Sequence, residues 1–380
     1  MPARSAVRRL VSLASALLAA ALLLSACAAA RSDPAAPRGF FAASGDFNSV
    51  AAVSARSAWA VGYSGGCNLL ACKTLIARWN GTAWKRVASP RQGRSGVLYG
   101  IAATSARNAW AVGDTGSVFG GIPEVRRSLI LRWNGTAWIR VPCPSPGRGA
   151  LLYAVAATSA RNAWAVGYTN GISSSRPLIV RWNGAAWTRV PAPNPGGGTF
   201  LTDVVATSAS NAWAVGFTVR GVGQPLILRW NGAAWKRVPI PSLRSDQLEG
   251  VAATSARNAW AVGVTVGGVG RPLILRWNGT SWKVVPAPRV GRSGLLSGVT
   301  ATSARDVWAV GRAFQDKTLI VHWNGSVWTR VASPSPPGGA ELYGVAATSD
   351  RNAWAAGDSG VLSGGRTTVL LLHWNGRGWK

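Results

Sequence analysis

Few side chains in this protein have the chemistry to attack a bond, carry a proton or hold a metal. There are two histidines, His322 and His373, beside 12 acids, five tyrosines and four cysteines. Each histidine directly precedes a Trp-Asn-Gly, and Arg78, Arg132, Arg181, Arg229 and Arg276 fill the same place in other copies of that motif. A place that arginine fills so often is a structural slot, not that of a general base or a metal ligand. Serine–histidine–carboxylate and zinc chemistry are thereby excluded, and no metal or cofactor is called for. The remaining catalytic chemistry is sialidase-like: a tyrosine nucleophile helped by an acid, beside clustered arginines. Tyr99, Tyr153 and Tyr343 share one motif-relative position, and Tyr63 and Tyr168 share another. Asp306 and Asp350 each lie in the Ser/Ala/Arg-type corner of their own copy, and no carboxylate pair is fixed by spacing.

The elements that must position these groups repeat. "WAVG" recurs at Trp59, Trp110, Trp164, Trp213, Trp260 and Trp308, with "WAAG" at Trp354. A "WNG" follows in every copy, and a third tryptophan comes about five residues later. Three tryptophans in each of seven copies use all 21 in the chain, so none is left for an individual site. Within one copy, β-prone runs lie around Tyr153–Ala156, Ala163–Gly167, Leu178–Trp182 and Trp187–Val190, separated by Ser/Asn, Gly/Ser, Asn-Gly and Pro/Gly breakers. Four antiparallel strands in each of seven units predict an all-β, seven-bladed β-propeller; a β-solenoid is the alternative. Call the strands a to d from the channel outward. Strands b and c read as apolar on both faces, as blade stacking requires. Strand d carries Lys85-Arg86, Lys236-Arg237, Arg140, Arg189 and Arg330, read as charge protecting an outer edge. The Asn-Gly is read as a tight turn in which both residues tolerate positive φ, and the flanking tryptophans as packing between blades.

The pairing of a WAVG strand with a hairpin that closes on tryptophan resembles the Asp-box (BNR-repeat) propellers. That group includes sialidases and photosystem II assembly-factor-like proteins. The Asp-box runs Ser/Thr-x-Asp-x-Gly-x-Thr-Trp between strands c and d. Here Asn134 stands at the Asp, Gly135 follows at once and Trp138 closes a shorter loop, without the carboxylate or the leading hydroxyl. The resemblance spans residues 47–380 and implies a propeller; from its sialidase members it implies glycosidase activity.

At the N-terminus, Arg4, Arg8 and Arg9 precede an apolar run from Leu10 to Leu24, the pattern of a signal peptide. It ends in Leu24-Ser25-Ala26-Cys27, which resembles the lipobox of bacterial lipoproteins. By that resemblance residues 1–26 are removed and Cys27 carries the lipid. The alternative is an ordinary secretory signal cleaved near Ala26 or Ala28. Residues 27–46 read as an Ala/Pro-rich tether and 47–380 as the propeller, whose last outer strand is cut short at Lys380. The expected place is the outer face of the bacterial cytoplasmic membrane. In that compartment Cys67 and Cys72 are free to pair, which leaves Cys143 odd.

Where the repeats differ, function is expected. The a–b corner ("TSARN") and the c–d corner hardly vary and are assigned to one rim; the b–c and d–a connections vary and are assigned to the other. At the start of strand a the equivalent residues are Asn48, Tyr99, Tyr153, Thr202, Glu249, Ser297 and Tyr343, with Asp203 beside one of them. Arg94, Arg126, Arg127, Arg148, Arg244, Arg271 and Arg292 fall in the variable connections. With a formal net charge of +29, such a face favours an anionic partner, a cell-wall glycan, an acidic protein surface or lipid head groups. Nucleic acid is disfavoured because the basic residues are not interleaved with exposed aromatics. The sequence therefore predicts a membrane-anchored, monomeric, non-catalytic binding scaffold. A sialidase-like glycosidase and a purely structural envelope protein are the alternatives.

Overall fold

The computed structural model describes residues 44–65, 72–93, 95–116, 126–146, 149–169, 174–219, 223–241, 243, 246–266, 268–360 and 367–380. The expected signal peptide, Cys27 and most of the tether lie outside them.

Seven antiparallel sheets form a β-propeller. In the first blade, strand a is Gly45–Ser54, b is Ser57–Ser64, c is Lys73–Trp79 and d is Trp84–Arg86, hydrogen-bonded in that order. Six blades repeat this four-strand order, and the seventh has three strands, Ala340–Ser349, Asn352–Ser359 and Thr368–Trp374. Its outer strand survives as a bridge between Trp374 and Trp379, reinforced by two backbone hydrogen bonds between His373 and Lys380. Strand a is longer than its β-prone core: Ala150–Ser159 surrounds the expected Tyr153–Ala156. The extension follows from pairing, since the small Ala and Ser residues toward the corner still oppose strand b.

The tryptophans explain why the blades stay together. The b-strand Trp59 packs at 4.9 Å from Trp133 and 5.2 Å from Trp138, which are the c and d tryptophans of the next blade. The same three-ring cage recurs at every junction. It includes the last, where Trp354 lies 4.9 Å from Trp79 and 5.1 Å from Trp84 of the first blade. The ring is therefore closed by the same contact that joins all its members. A second tie comes from the chain start, where the Gly45 N–H donates to Thr367 O at 2.9 Å and Ser44 bridges Thr368. The edge-to-face geometry suits the charge distribution of aromatic rings.

The arginine slot lies inside this cage. The Arg181 guanidinium sits 4.8 Å over Trp164 of its own blade and 5.5 Å from Trp230 of the next. Its Nη2 donates to Ala209 O across the junction at 3.2 Å. His322 and His373 stack in the same place, each 4.1 Å from Trp308 and Trp354 respectively. Both histidines are thus parts of the scaffold.

The Asn-Gly turn is built differently from the expectation. Trp133 pairs with Trp138, so four residues form the loop. Only the glycine takes positive φ, 106° at Gly135. Asn134 instead accepts from the N–H groups of Thr136 and Ala137 through Oδ1, both at 2.9 Å. Its side chain caps the turn as an Asx motif, the competing use of a short polar side chain.

The glycine of WAVG has its own cause. Strand a carries a β-bulge opposite it in every blade, for example between Leu98 and Gly100, facing Gly113. The bulge brings the a-strand backbone so close that a Cβ on Gly167 would lie 2.1 Å from Leu151 O. Gly167→Ala is therefore expected to cost about 1–3 kcal/mol through forced backbone displacement. Gly378→Ala, whose Cβ would meet nothing within 4 Å, is expected to stay within about 0.5 kcal/mol. Urea midpoints of the two variants check this; equal midpoints would contradict it.

Candidate functional site

The bulge determines what the channel mouth displays. An extra residue in one strand cannot pair, so its side chain is re-aimed out of the ladder. In all seven blades that unpaired residue is one of Asn48, Tyr99, Tyr153, Thr202, Glu249, Ser297 and Tyr343. Positions at which the repeats disagree are thus positions at which the backbone leaves the strand ladder. Together the inner strands enclose a channel of about 500 Å³, lined mainly by Ala, Val and Gly, with Asn48, Tyr153, Asp203, Glu249, Ser297 and Tyr343 at one end.

Several of these groups bind neighbouring blades. Asn48 Nδ2 donates to Leu98 O at 2.8 Å, and the Thr202 hydroxyl lies 2.9 Å from Leu248 O. Asp203 accepts from its neighbour Val204 N and from Val251 N of the next blade, both at 2.8 Å. Tyr99 is fully buried, and Asn48, Tyr153, Thr202 and Ser297 are buried as well. Asp203, Glu249 and Tyr343 retain partial exposure. Two carboxylates and one phenol of the mouth are therefore partly exposed, one of them, Asp203, already hydrogen-bonded through both oxygens.

Around the mouth lies a second ring that the sequence reading missed. The residue following each WAVG glycine also varies: Tyr63, Asp114, Tyr168, Phe217, Val264, Arg312 and Asp358. The signal was available, because these residues sit beside an invariant glycine and yet differ. They divide the rim. On one side Tyr99, Tyr153, Tyr168, Phe200 and Phe217 form a buried aromatic chain, with centroid separations of 4.6–5.7 Å. On the other, Arg312 bonds Asp316 at 2.6 Å and approaches Glu341 at 3.7 Å.

The predicted arginines have separate fates. Arg126 is drawn into the aromatic side, where its Nε lies 2.7 Å from Asp114 and its Nη2 3.2 Å from the Tyr99 hydroxyl. Asp114 is buried, so this guanidinium is already neutralised. Arg127, Arg271 and Arg292 are exposed on the rim. Arg94, Arg148 and Arg244 lie outside the described residues. The variable connections do share one rim, as Ala150 N–Arg126 O and Gly294 N–Gly270 O show. Cys72 is disulfide-bonded; Cys67, expected to be its partner, lies outside the described residues. Cys143 is a free thiol, pushed up to about 11 by burial against a smaller opposing effect of Arg140.

Tyrosine–carboxylate contacts of the kind a sialidase-like site needs do occur. The Tyr63 hydroxyl donates to Asp46, and Tyr99 lies against Asp114 and Arg126. Both phenols are buried, and burial, then the nearby carboxylate charge, holds each well above the ordinary tyrosine range. A nucleophile requires the opposite shift. The histidines lie away from the mouth: His322 Nε2 is 2.6 Å from Asp306 and His373 Nε2 2.9 Å from Asn352, both beneath the opposite rim.

No family model and no curated protein matches this sequence. Solved structures do. YCF48 bound to D1 peptide is similar over 87% of this chain and 94% of its own, at 15% identity and a TM-score of 0.53. A PL25 polysaccharide lyase, an ulvan lyase bound to -[GlcA(1-4)Rha3S]-, is similar over 90% and 96%, at 11% identity and a TM-score of 0.57. The GH74 xyloglucanase from Xanthomonas campestris is similar over 83% of this chain but 52% of its own, at 15% identity and a TM-score of 0.57. At such identities the likeness shows the β-propeller fold alone. The same fold carries a peptide-bound protein and two carbohydrate-active enzymes, so the fold leaves the activity open.

The buried phenols generate a measurable expectation. The folded state favours their neutral form, so this stabilisation is complete below their unfolded pKa of about 10 and declines as pH rises above it. In a phenolate-absorbance titration, Tyr63 and Tyr99 are expected to ionise only as the protein unfolds in alkali. Tyr63→Phe and Tyr99→Phe identify their share of the signal. Phenolate at either position in folded protein below about pH 10 would contradict the assignment.

Proposed function

We propose that this protein is an extracytoplasmic lipoprotein, anchored through Cys27 to the outer face of the bacterial cytoplasmic membrane, whose propeller is a non-catalytic binding scaffold. The observation that carries the binding part is the coincidence of sequence divergence with the bulged ring at the channel mouth. A scaffold that holds its blades constant and concentrates its variation at one end, in the bulged ring, the ring beside it and the connections, is suited to presenting a ligand-specific face there. Exposed Arg127, Arg271 and Arg292 on that rim favour an anionic ligand, a cell-wall glycan or an acidic protein segment. The lipid anchor is supported by Leu24-Ser25-Ala26-Cys27 after an apolar run with basic flanks.

The catalytic alternative is less well supported. Its nucleophile would be a phenol, and Tyr63 and Tyr99, which lie against Asp46 and Asp114, are buried and held protonated; Tyr343 is the phenol that keeps partial exposure at the mouth. Binding is tested by retention on anionic cell-wall material at physiological salt. Joint replacement of Arg127, Arg271 and Arg292 by serine is expected to weaken retention about tenfold, the scale of three exposed charge contacts. Unchanged retention would end the anionic reading of this rim.

A further inference from the structure

The rim opposite the divergent mouth carries a more concentrated positive charge. At each a–b corner a serine or threonine-rich turn presents one residue outward, and in six blades that residue is arginine: Arg56, Arg107, Arg161, Arg257, Arg305 and Arg351. All six are exposed. Each stem rests on the glycine of its own blade's Asn-Gly turn; a Cβ on Gly184, for instance, would lie 3.4 Å from Arg161 Cβ and Cγ. Beneath them lie the guanidiniums pinned in the tryptophan cages, such as Arg181 and Arg229. Strand d begins at the same rim and adds exposed pairs such as Lys85-Arg86 and Lys236-Arg237.

Blade four shows that the corner does not need this charge. There Ser210 takes the arginine's place, and its N–H makes the same turn hydrogen bond, donating to Ser208 Oγ at 3.2 Å as the Arg107 N–H donates to Ser105 Oγ at 3.2 Å. The arginines are therefore not required by the turn. Nor are they neutralised locally. Among the described residues only Asp306 and Asp350 bring carboxylates to this rim, and Asp306 is taken up by His322 and Thr302. Every other described carboxylate lies at the divergent end, on the start of strand a, the end of strand b or the connections between. The charge of the molecule is thus strongly polarised along the channel axis.

We infer that the corner rim is a docking face for an anionic lipid bilayer, binding phosphate headgroups through its ring of arginines. The corners occupy one repeat position in a closed ring, which sets their tips at one level around the channel axis. A flat ring of exposed guanidiniums fits a plane of phosphates, to which each can donate paired hydrogen bonds. Counter-charge from the surface also relieves the repulsion between the free and pinned tiers. The described chain starts at Ser44 on the other rim. The stretch from Cys27 to Ser44 can extend about 55–60 Å, more than the roughly 34 Å of a ten-residue strand, so a lipid at Cys27 permits this orientation. That reach alone rests on the anchor reading; the rim's charge does not.

The test uses the mature chain, residues 27–380, carrying Cys27→Ser, so that neither a lipid nor the apolar leader reaches the vesicle. It is floated with phosphatidylcholine vesicles containing or lacking phosphatidylglycerol, at physiological and at high salt. The parent is expected to float only with the anionic vesicles and to be released by salt. Arg107, Arg161 and Arg257 are then replaced together by serine, blade four's own residue, with circular dichroism confirming the fold. This variant is expected to lose on the order of a hundredfold in partitioning, about fivefold per arginine. Serine at Arg127, Arg271 and Arg292 is expected to change it less than about twofold, because those residues face away. Undiminished binding by the corner variant overturns the inference. So does binding to soluble polyphosphate without binding to anionic vesicles. If the other triple variant is the one that loses vesicle binding, the docking face is wrong while the anionic reading of the divergent rim stands.

Discussion

The tryptophan cage between blades is the contact on which the rest depends. One indole from strand b of each blade meets two from strands c and d of the next, and an arginine or histidine from strand c lies on it. Removing a buried tryptophan of this kind typically costs about 3–5 kcal/mol. Because the contact always reaches forward to the next blade, it makes neighbours interdependent and leaves the individual blade without a complete core. Trp354 meeting Trp79 and Trp84 is the same contact applied between the chain's two ends. A full outer strand in the seventh blade is not needed for it, since Trp379 alone supplies the third ring against Trp308 at 5.4 Å.

This constraint sorts the chain into constant and variable parts. Everything that builds the cage is repeated: its tryptophans, the cation slot, the capped Asn-Gly turn, and the glycine that receives the bulge. The fold was legible in the sequence for that reason, since three tryptophans at fixed offsets in seven copies admit few architectures. The roles of single residues were less legible. Asn134 was expected to tolerate positive φ, but its side chain caps the turn, because hydrogen-bonding capacity and backbone tolerance favour the same residue type at the same place. Arg126 was read as a free rim charge, but it is paired with Asp114. No local pattern links an arginine to an aspartate twelve residues away across a variable loop.

The mouth residues show both the strength and the limit of pattern reading. Their divergence was visible, and the structure gives it a cause in the bulge. Their burial was not visible, because alternation along strand a is broken at that point. A side chain leaving the ladder can turn into the channel, as Glu249 does, or into the core, as Tyr99 does. Charge shows a related ambiguity. Basic residues repeated on strand d were read as edge protection, which accounts for each strand alone. The concentration of the described acids at the other end, all but Asp306 and Asp350, emerges only when all blades are placed side by side, and it gives the propeller two chemically unlike faces.

The central claim is that one cage, repeated at seven junctions, closes the ring. Urea unfolding of Trp354→Ala beside Trp164→Ala tests it most directly, since Trp354 spans the junction between the last and first blades and Trp164 an interior one. A closed ring predicts similar losses, about 3–5 kcal/mol for each. A loss at Trp354 below about 1 kcal/mol, with a full loss at Trp164, would mean that the final junction bears no load and would contradict the account.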